Sequence, residues 1–163
     1  MEGELDAVAL VEQYGNHLLR LCTLYLGDRM GAEDAVQETY LRALRAWPSF
    51  RGECSEETWL IRIAINICKN TLRSPWRRKQ APQEALNRLT EGEPELKDDT
   101  VARAVMELPP KYRAVVILCY YEELDSGEIA KILGLSVSAV TMRLSRARQK
   151  LKGRLEGWYY GKT

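Results

Sequence analysis

The sequence predicts an all-α fold: two small helical domains joined by a flexible linker. Three observations point to it. Apolar residues recur at spacings of three and four with almost no alternating runs, so helices are expected and strands are not. The periodicity breaks once, across the polar stretch "SPWRRKQAPQEALNRLTEGEPELKDD" with its three prolines, Ser74 to Asp99. A length of 163 residues accommodates one ordinary domain or two small ones. The expected division is 1–74, a linker at 75–99, and 100–163.

The first helix is expected over Leu5 to Leu26, where Val8, Val11, Leu18, Leu21, Cys22 and Tyr25 fall at helical spacing and Gly27 supplies a stop. A second runs from Ala32 to Trp47 on Val36, Tyr40, Ala43, Leu44 and Trp47, and Pro48 closes it. After the loop "SFRGECS", Ser55 has the character of an N-cap. Glu56 and Glu57 occupy the first turn of the third helix, where carboxylates meet the positive end of the helix dipole, and this helix reaches about Arg73. The linker leaves room for at most one short helix, around Glu84 to Leu89. From about Thr100 a short helix ends before "LPPKYR", and Pro110 suits the first turn of the next, Lys111 to Glu123. Asp125 and Glu128 have capping-box spacing for another, ending at Leu133 and Gly134, and Ser136 caps the last.

Charge comes in blocks. Met1 to Phe50 holds four basic against eight acidic residues, a net −4, and Arg51 to Gln80 holds seven against three, +4. Ala81 to Leu108 holds three against seven, −4, and Pro109 to Thr163 ten against five, +5. The total of +1 names no partner. Two basic blocks separated by acidic ones predict two surfaces that face polyanions.

Cys22, Cys54, Cys68 and Cys119 form no CxxC pair and His17 is the only histidine, so neither a metal site nor a cofactor is expected. Cys22, Cys68 and Cys119, inside apolar periodic stretches, are expected as reduced core residues. No run approaches the roughly 18 apolar residues of a membrane span, and the N-terminus is acidic rather than signal-like. A cytoplasmic protein with no membrane insertion of its own is expected.

Asp125 to Leu155 has the pattern of a helix-turn-helix. Ala130 is small where the first helix must pass close to the second, Gly134 stands where the turn wants positive φ, and Val140 is apolar where the second helix packs back. Val137, Val140, Leu144, Ala147, Leu151 and Leu155 form the expected buried stripe. Ser138, Thr141, Met142, Ser145, Arg148 and Lys152 face away from it, flanked by Arg143, Arg146 and Lys150. In such a motif the first turns of the second helix enter the major groove. The stretch from Ser136 through Ser138, Ala139, Thr141 and Met142 is short and neutral, which keeps non-specific attraction low and leaves room for base contacts. Arg143, at the boundary, can reach a guanine edge, while Arg146 and Arg148 lie where the helix climbs toward phosphates.

The third helix has a second polyanion signature. Leu60, Ile61, Ile63, Ala64, Ile65, Ile67 and Leu72 cover most of its circumference. Trp59, Arg62, Asn66, Lys69 and Arg73 leave one narrow stripe that suits single-stranded nucleic acid by stacking, phosphate contact and hydrogen bonding. Trp59 fits the core equally well.

With these residues in view, "GDRMGAEDAVQETYLRALRAWPSFRGE", "TWLIRIAINICKN" and "LPPKYRAVVILCYYEELDSGEIAKILGLSVSAVTMRLSRARQKL", in this order around a linker, resemble the extracytoplasmic-function (ECF) group of the bacterial sigma-70 family. The resemblance covers nearly the full length. It implies a non-enzymatic transcription initiation factor. Region two would dock on the clamp helices of the largest subunit of core RNA polymerase through Asp34, Gln37 and Glu38, with Arg42 and Arg45 on the same helix. It would open the −10 element with the loop Arg51, Gly52, Glu53, Cys54 and Ser55 and the helix carrying Trp59, Arg62, Asn66 and Lys69. Region four would hold the −35 element of promoter DNA in the helix-turn-helix and touch the polymerase flap. The linker would thread the RNA channel, its acidic stretch mimicking RNA, and an anti-sigma factor is an expected partner.

Two departures stand out. The family commonly has Asp before "AED", where this chain has Gly31, expected as an N-cap; glycine costs only a few tenths of a kcal/mol there, on the order of 0.3. Many members carry an aromatic two residues before the Thr-Trp pair, and this chain has Glu56. From the residues alone two other classes stay open. A free-standing helix-turn-helix regulator would need a symmetric dimerisation surface, for which no heptad run is seen. An enzyme would need a nucleophile–base constellation or a phosphate loop, and neither occurs.

Overall fold

The computed structural model of the chain describes residues 7–73 and 99–161. Every regular element among them is a helix, and the chain divides into two compact units, Met1–Gly92 and Glu93–Thr163. The short helix expected around Glu84 to Leu89 and the acidic linker stretch lie outside the described residues.

Unit one holds α1 (Ala7–Leu26), α2 (Arg29–Ala46), a 3-10 turn (Trp47–Ser49) and α3 (Glu56–Arg73). Leu10, Leu18, Leu21, Cys22, Leu24 and Tyr25 of α1 are buried against α2 and α3, each large apolar side chain contributing about 1.5–3 kcal/mol by leaving water. Val8 and Val11, expected in the same stripe, are 66% and 52% exposed; at this end of α1 it is Leu10 that turns inward. Gly27 ends α1 at φ 72°, with its N–H donating to the Thr23 carbonyl.

Helix α2 corrects two expectations. It begins three residues before Ala32, because the Asp28 carboxylate accepts from the N–H groups of Met30 (3.3 Å) and Gly31 (3.2 Å). Gly31 is therefore inside the helix, and the cap is the aspartate upstream. The buried face is Ala32, Ala35, Thr39 and Ala43, with Val36 and Tyr40 half-buried beside it and Leu44 40% exposed. Larger apolar residues drew the sequence reading to the wrong rotation. Small ones sit innermost here because α2 wedges between α1 and α3, and Thr39 is tolerated because its hydroxyl donates to the Ala35 carbonyl at 2.6 Å.

Helix α3 starts where expected, with Ser55 Oγ accepting from the Thr58 N–H at 3.1 Å. It buries Leu60, Ile61, Ala64, Ile65, Ile67 and Cys68 and leaves Arg62, Asn66 and Arg73 exposed.

Unit two holds α4 (Asp99–Glu107), α5 (Pro110–Val116), α6 (Ser126–Leu133) and α7 (Val137–Gly161). The helix expected over Lys111 to Glu123 does not stay α-helical: Ile117–Tyr121 is a π-helical turn, closed by the Glu122 N–H donating to the Ile117 carbonyl at 3.1 Å. After it Glu123 takes φ 55°, unusual for a residue with a Cβ, and the chain reaches α6. The Asp125–Glu128 capping box forms in both directions, at 2.8 and 3.1 Å. Gly134 terminates α6 at φ 69°, and Ser136 Oγ accepts from the Ala139 N–H at 3.1 Å to start α7.

Val140, Leu144 and Ala147 carry α7 onto a core of Val105, Leu108, Val115, Ile117, Leu118 and Ile129. Val137, expected in that stripe, is 52% exposed; Leu151 is half-buried, and the Leu155 side chain lies outside the described residues.

Candidate nucleic-acid interfaces

In unit one, the loop from Arg51 to Ser55 is exposed throughout and turns at Gly52, φ 73°. Both its ends are pinned. Trp59, half-buried in the first turn of α3, stacks on Phe50 with ring centroids 4.8 Å apart, and Trp47 meets both rings, at 5.4 and 5.8 Å. The aromatic trio joins the end of α2 to the start of α3. Sequence reading placed Trp47 in a helix stripe and Phe50 merely in a loop; aromatics bracketing a short polar loop were the signal that was missed.

Glu56, the departure noted above, is also accounted for locally. The Tyr14 hydroxyl of α1 donates to its carboxylate, and Glu57 lies 3.4 Å from the His17 imidazole. Burial first, then the charges of Glu56 and Glu57, push the Tyr14 phenol above its ordinary pKa. The start of α3 is thus anchored by polar contacts on one side and aromatic contacts on the other. Beyond it, Trp59, Arg62, Asn66 and Lys69 follow one another up the helix, the last half-exposed.

On α2, Asp34, Gln37, Arg42 and Arg45 are exposed and Glu38 half-buried, with Arg42 Nε 3.7 Å from the Glu38 carboxylate. Three apolar residues share this side, Leu44 among them although the spacing predicts it in the buried stripe: Met30 (69% exposed), Leu41 (45%) and Leu44 (40%). At about 100° per residue, Met30, Asp34, Gln37, Leu41 and Arg45 lie along one line, so apolar Met30 and Leu41 share the face with polar Asp34, Gln37 and Arg45.

In unit two the outward face of α7 is neutral. Val137, Ser138, Thr141, Met142, Ser145 and Gln149 line one open depression together with Arg146. Ser136 is exposed at the cap and Ala139 half-buried at the edge. Cations border that face along one flank and at its C-terminal end. Arg143, Arg146 and Lys150 lie along the flank, while Arg148 and Lys152 continue the outward row of Thr141 and Ser145, at spacings of four, three and four.

Two tyrosines hold these cations. Arg146 donates to the Tyr112 hydroxyl, and Lys111 and Lys150 stand 5.1 and 5.7 Å from the Tyr112 ring centre. Burial pushes that phenol up, but the Arg146 hydrogen bond and the Lys111, Arg146 and Lys150 charges outweigh it, and the net shift is downward. Across the helix, Arg148 Nε donates to the Tyr120 hydroxyl at 2.5 Å, with the guanidinium 5.7 Å from the ring centre. That bond, against a small desolvation penalty, holds the Arg148 guanidinium above the ordinary arginine value, aided by Cys119 alongside. Cys119 is half-buried rather than core, unlike Cys22 and Cys68.

Two family descriptions match the chain: Sigma-70 region 2 over residues 10–78, and Sigma-70, region 4 over residues 98–151. The ECF RNA polymerase sigma factor SigW of Bacillus subtilis is 31% identical, over 94% of this chain and 91% of its own length. The chain belongs to the ECF group of the sigma-70 family. Another similar sigma factor is YlaC of Bacillus subtilis, 35% identical over 88% of each chain. Among solved structures, CnrH in complex with the cytosolic domain of CnrY superposes with a TM-score of 0.69 at 26% identity, covering 93% of this sigma factor and 88% of that chain. The sigma factor RpoE from Bartonella quintana, solved with the anti-sigma factor NepR, shares the fold with a TM-score of 0.73 at 20% identity, covering 91% and 96%. Among the described residues no helix of this sigma factor is long and apolar enough to cross a membrane.

Proposed function

We propose that this sigma factor directs core RNA polymerase to promoters by dividing recognition between its two units and catalyses no reaction itself. Unit one docks on the clamp helices of the largest polymerase subunit through Asp34, Gln37, Glu38, Arg42 and Arg45, with Met30, Leu41 and Leu44 supplying apolar contact. The loop Arg51–Ser55 and the α3 residues Trp59, Arg62, Asn66 and Lys69 capture the −10 strand. Phe50 already covers one face of Trp59, so this ring holds the loop in place as much as it offers a stacking surface.

Unit two reads the −35 element with Ser136, Ser138, Ala139, Thr141, Met142 and Arg143, and Arg146 and Arg148 meet the backbone or the flap. The single observation that carries this reading is the neutral opening face of α7, with cations along one flank and beyond it toward the C-terminal end. A helix entering a major groove meets base edges with its first turns and sugar-phosphate strands with its flank and later turns, and this is the charge pattern that such a position favours. The protein acts in the cytoplasm, where the chromosome is, and an inhibitory anti-sigma partner is proposed by analogy with the complexes of CnrH and RpoE.

The test is reconstitution. Added to sigma-free core polymerase with genomic DNA, the protein should produce transcripts starting from a defined set of sites sharing two spaced elements. Transcripts no different from those of core alone, or tight symmetric dimer binding to DNA without polymerase, would overturn the reading.

A further inference from the structure

Cations on α7 are held in two chemically different ways. Arg154 is paired with the Glu107 carboxylate of α4, which orients it and cancels its charge. Arg148, less than two turns earlier, is oriented by a neutral phenol. A guanidinium held in this way keeps its full charge and loses little rotamer freedom when an anion arrives, which is where an exposed arginine otherwise forfeits much of its gain.

The hydrogen-bond inventory of the pair favours an oxyanion. Tyr120 uses its oxygen as acceptor, so its own O–H remains a donor, and the residue is 52% exposed. Nε is one of the five guanidinium N–H donors and Cys119 engages another, and those that remain can meet the oxygens of a phosphate. Tyr120 belongs to the π-helical turn, where the widened backbone moves side chains off α-helical positions. It reaches α7 from outside the helix-turn-helix, at Arg148, about one turn beyond Ser145 of the neutral face.

We infer that Tyr120 and Arg148 form one phosphate clamp, gripping a single backbone phosphate beside the −35 element, with Tyr120 both positioning Arg148 and donating a hydrogen bond of its own. This rests on the promoter reading above and adds a residue that lies outside the recognition helix. The clamp also explains why Tyr120 stands half in water next to a cation that, among the described residues, has no carboxylate partner.

The experiment uses holoenzyme reconstituted from full-length protein, on a promoter found by transcript mapping. Uncharged methylphosphonates are introduced one at a time along both strands of its −35 region. Wild-type binding should drop several-fold at one position flanking the element, while Tyr120→Phe and Arg148→Ala bind the unmodified promoter several-fold more weakly and become indifferent to that same substitution. Their double variant should be no weaker than Arg148→Ala alone. Tyr120→Phe keeps the ring and its contact with the guanidinium, and unchanged melting of that variant confirms the fold. The inference is overturned if Tyr120→Phe binds like wild type, or if its loss is the same at every methylphosphonate position. If wild-type holoenzyme selects no promoter at all, the promoter reading fails first, before the clamp is tested.

Discussion

Among the described residues, two backbone positions of unit two take positive φ, and they carry opposite residues. Gly134 at φ 69° ends α6 with nothing within 4 Å of where a Cβ would stand, so the glycine is there for conformation alone. Gly134→Ala should lower the stability of unit two by about 1–2 kcal/mol, the left-handed cost of a side chain. Glu123 at φ 55° already bears that cost between the π turn and α6. Glu123→Gly should therefore raise stability, by about 0.5–1 kcal/mol once the extra freedom of glycine in the unfolded chain is deducted. Chemical denaturation of each variant measures both. A stabilised alanine at 134, or a weakened glycine at 123, would show that side-chain contacts and not backbone strain decide these turns. The same scale explains what was legible beforehand. Gly134, Asp125, Glu128 and Ser136 were readable because caps and turns are local chemistry, fixed by residues within a few positions of each other. Tyr120 with Arg148, and Trp59 with Phe50, were not, because each pairing depends on how two elements cross.

At the level of elements, α2 shows how a helix is misread when its inward face is small. Helical periodicity was correct, but the buried line runs through Ala32, Ala35, Thr39 and Ala43, and the larger Leu41 and Leu44 turn outward. An outward apolar edge beside Asp34 and Gln37 is what a docking helix needs and what a purely solvated one would avoid. Glu38→Arg should accordingly abolish co-purification with core polymerase, while melting of this half-buried surface position shifts by only about 0.5 kcal/mol, as for most surface substitutions. Normal co-purification would remove α2 from the docking surface. The packing of α1 against its neighbours predicts a pH response. Tyr14 and Tyr40 are both raised above the ordinary phenol value, Tyr14 by burial and then by Glu56 and Glu57, Tyr40 by burial. A raised pKa in the folded state means that folding favours the protonated phenol. The stabilisation is complete below the unfolded value of about 10 and fades as pH rises through the folded values. Helical content followed by circular dichroism should fall above that pH. Tyr40→Phe, which gives up one hydrogen bond to the Leu10 carbonyl (3.2 Å), should be less stable at neutral pH yet lose less on going alkaline. Equal alkaline loss in wild type and variant would acquit Tyr40.

For the whole molecule, the division into two units with separate cores makes a quantitative demand on promoter binding. Asn66 on α3 is exposed and Arg143 on α7 is half-buried beside the neutral face, and neither is a core residue, so neither substitution should disturb folding. In holoenzyme, Asn66→Ala should weaken a pre-melted fork by about 0.5–1.5 kcal/mol, one hydrogen bond, and leave closed-duplex binding intact. Arg143→Ala should cost about 1–3 kcal/mol on any template carrying the −35 element and should re-rank −35 sequences. It should change nothing on a fork that lacks that element. Because the two residues share no partner and lie in different units, the double variant on a complete fork should lose the sum of the single losses, within about 0.3–0.5 kcal/mol. The measurement is a four-way cycle of equilibrium binding on three templates. A deficit well below the sum would mean that one contact forms only after the other, and the units would then be reading the promoter in sequence instead of independently. An effect of Asn66→Ala on duplex equal to its effect on the fork would take α3 out of strand capture altogether.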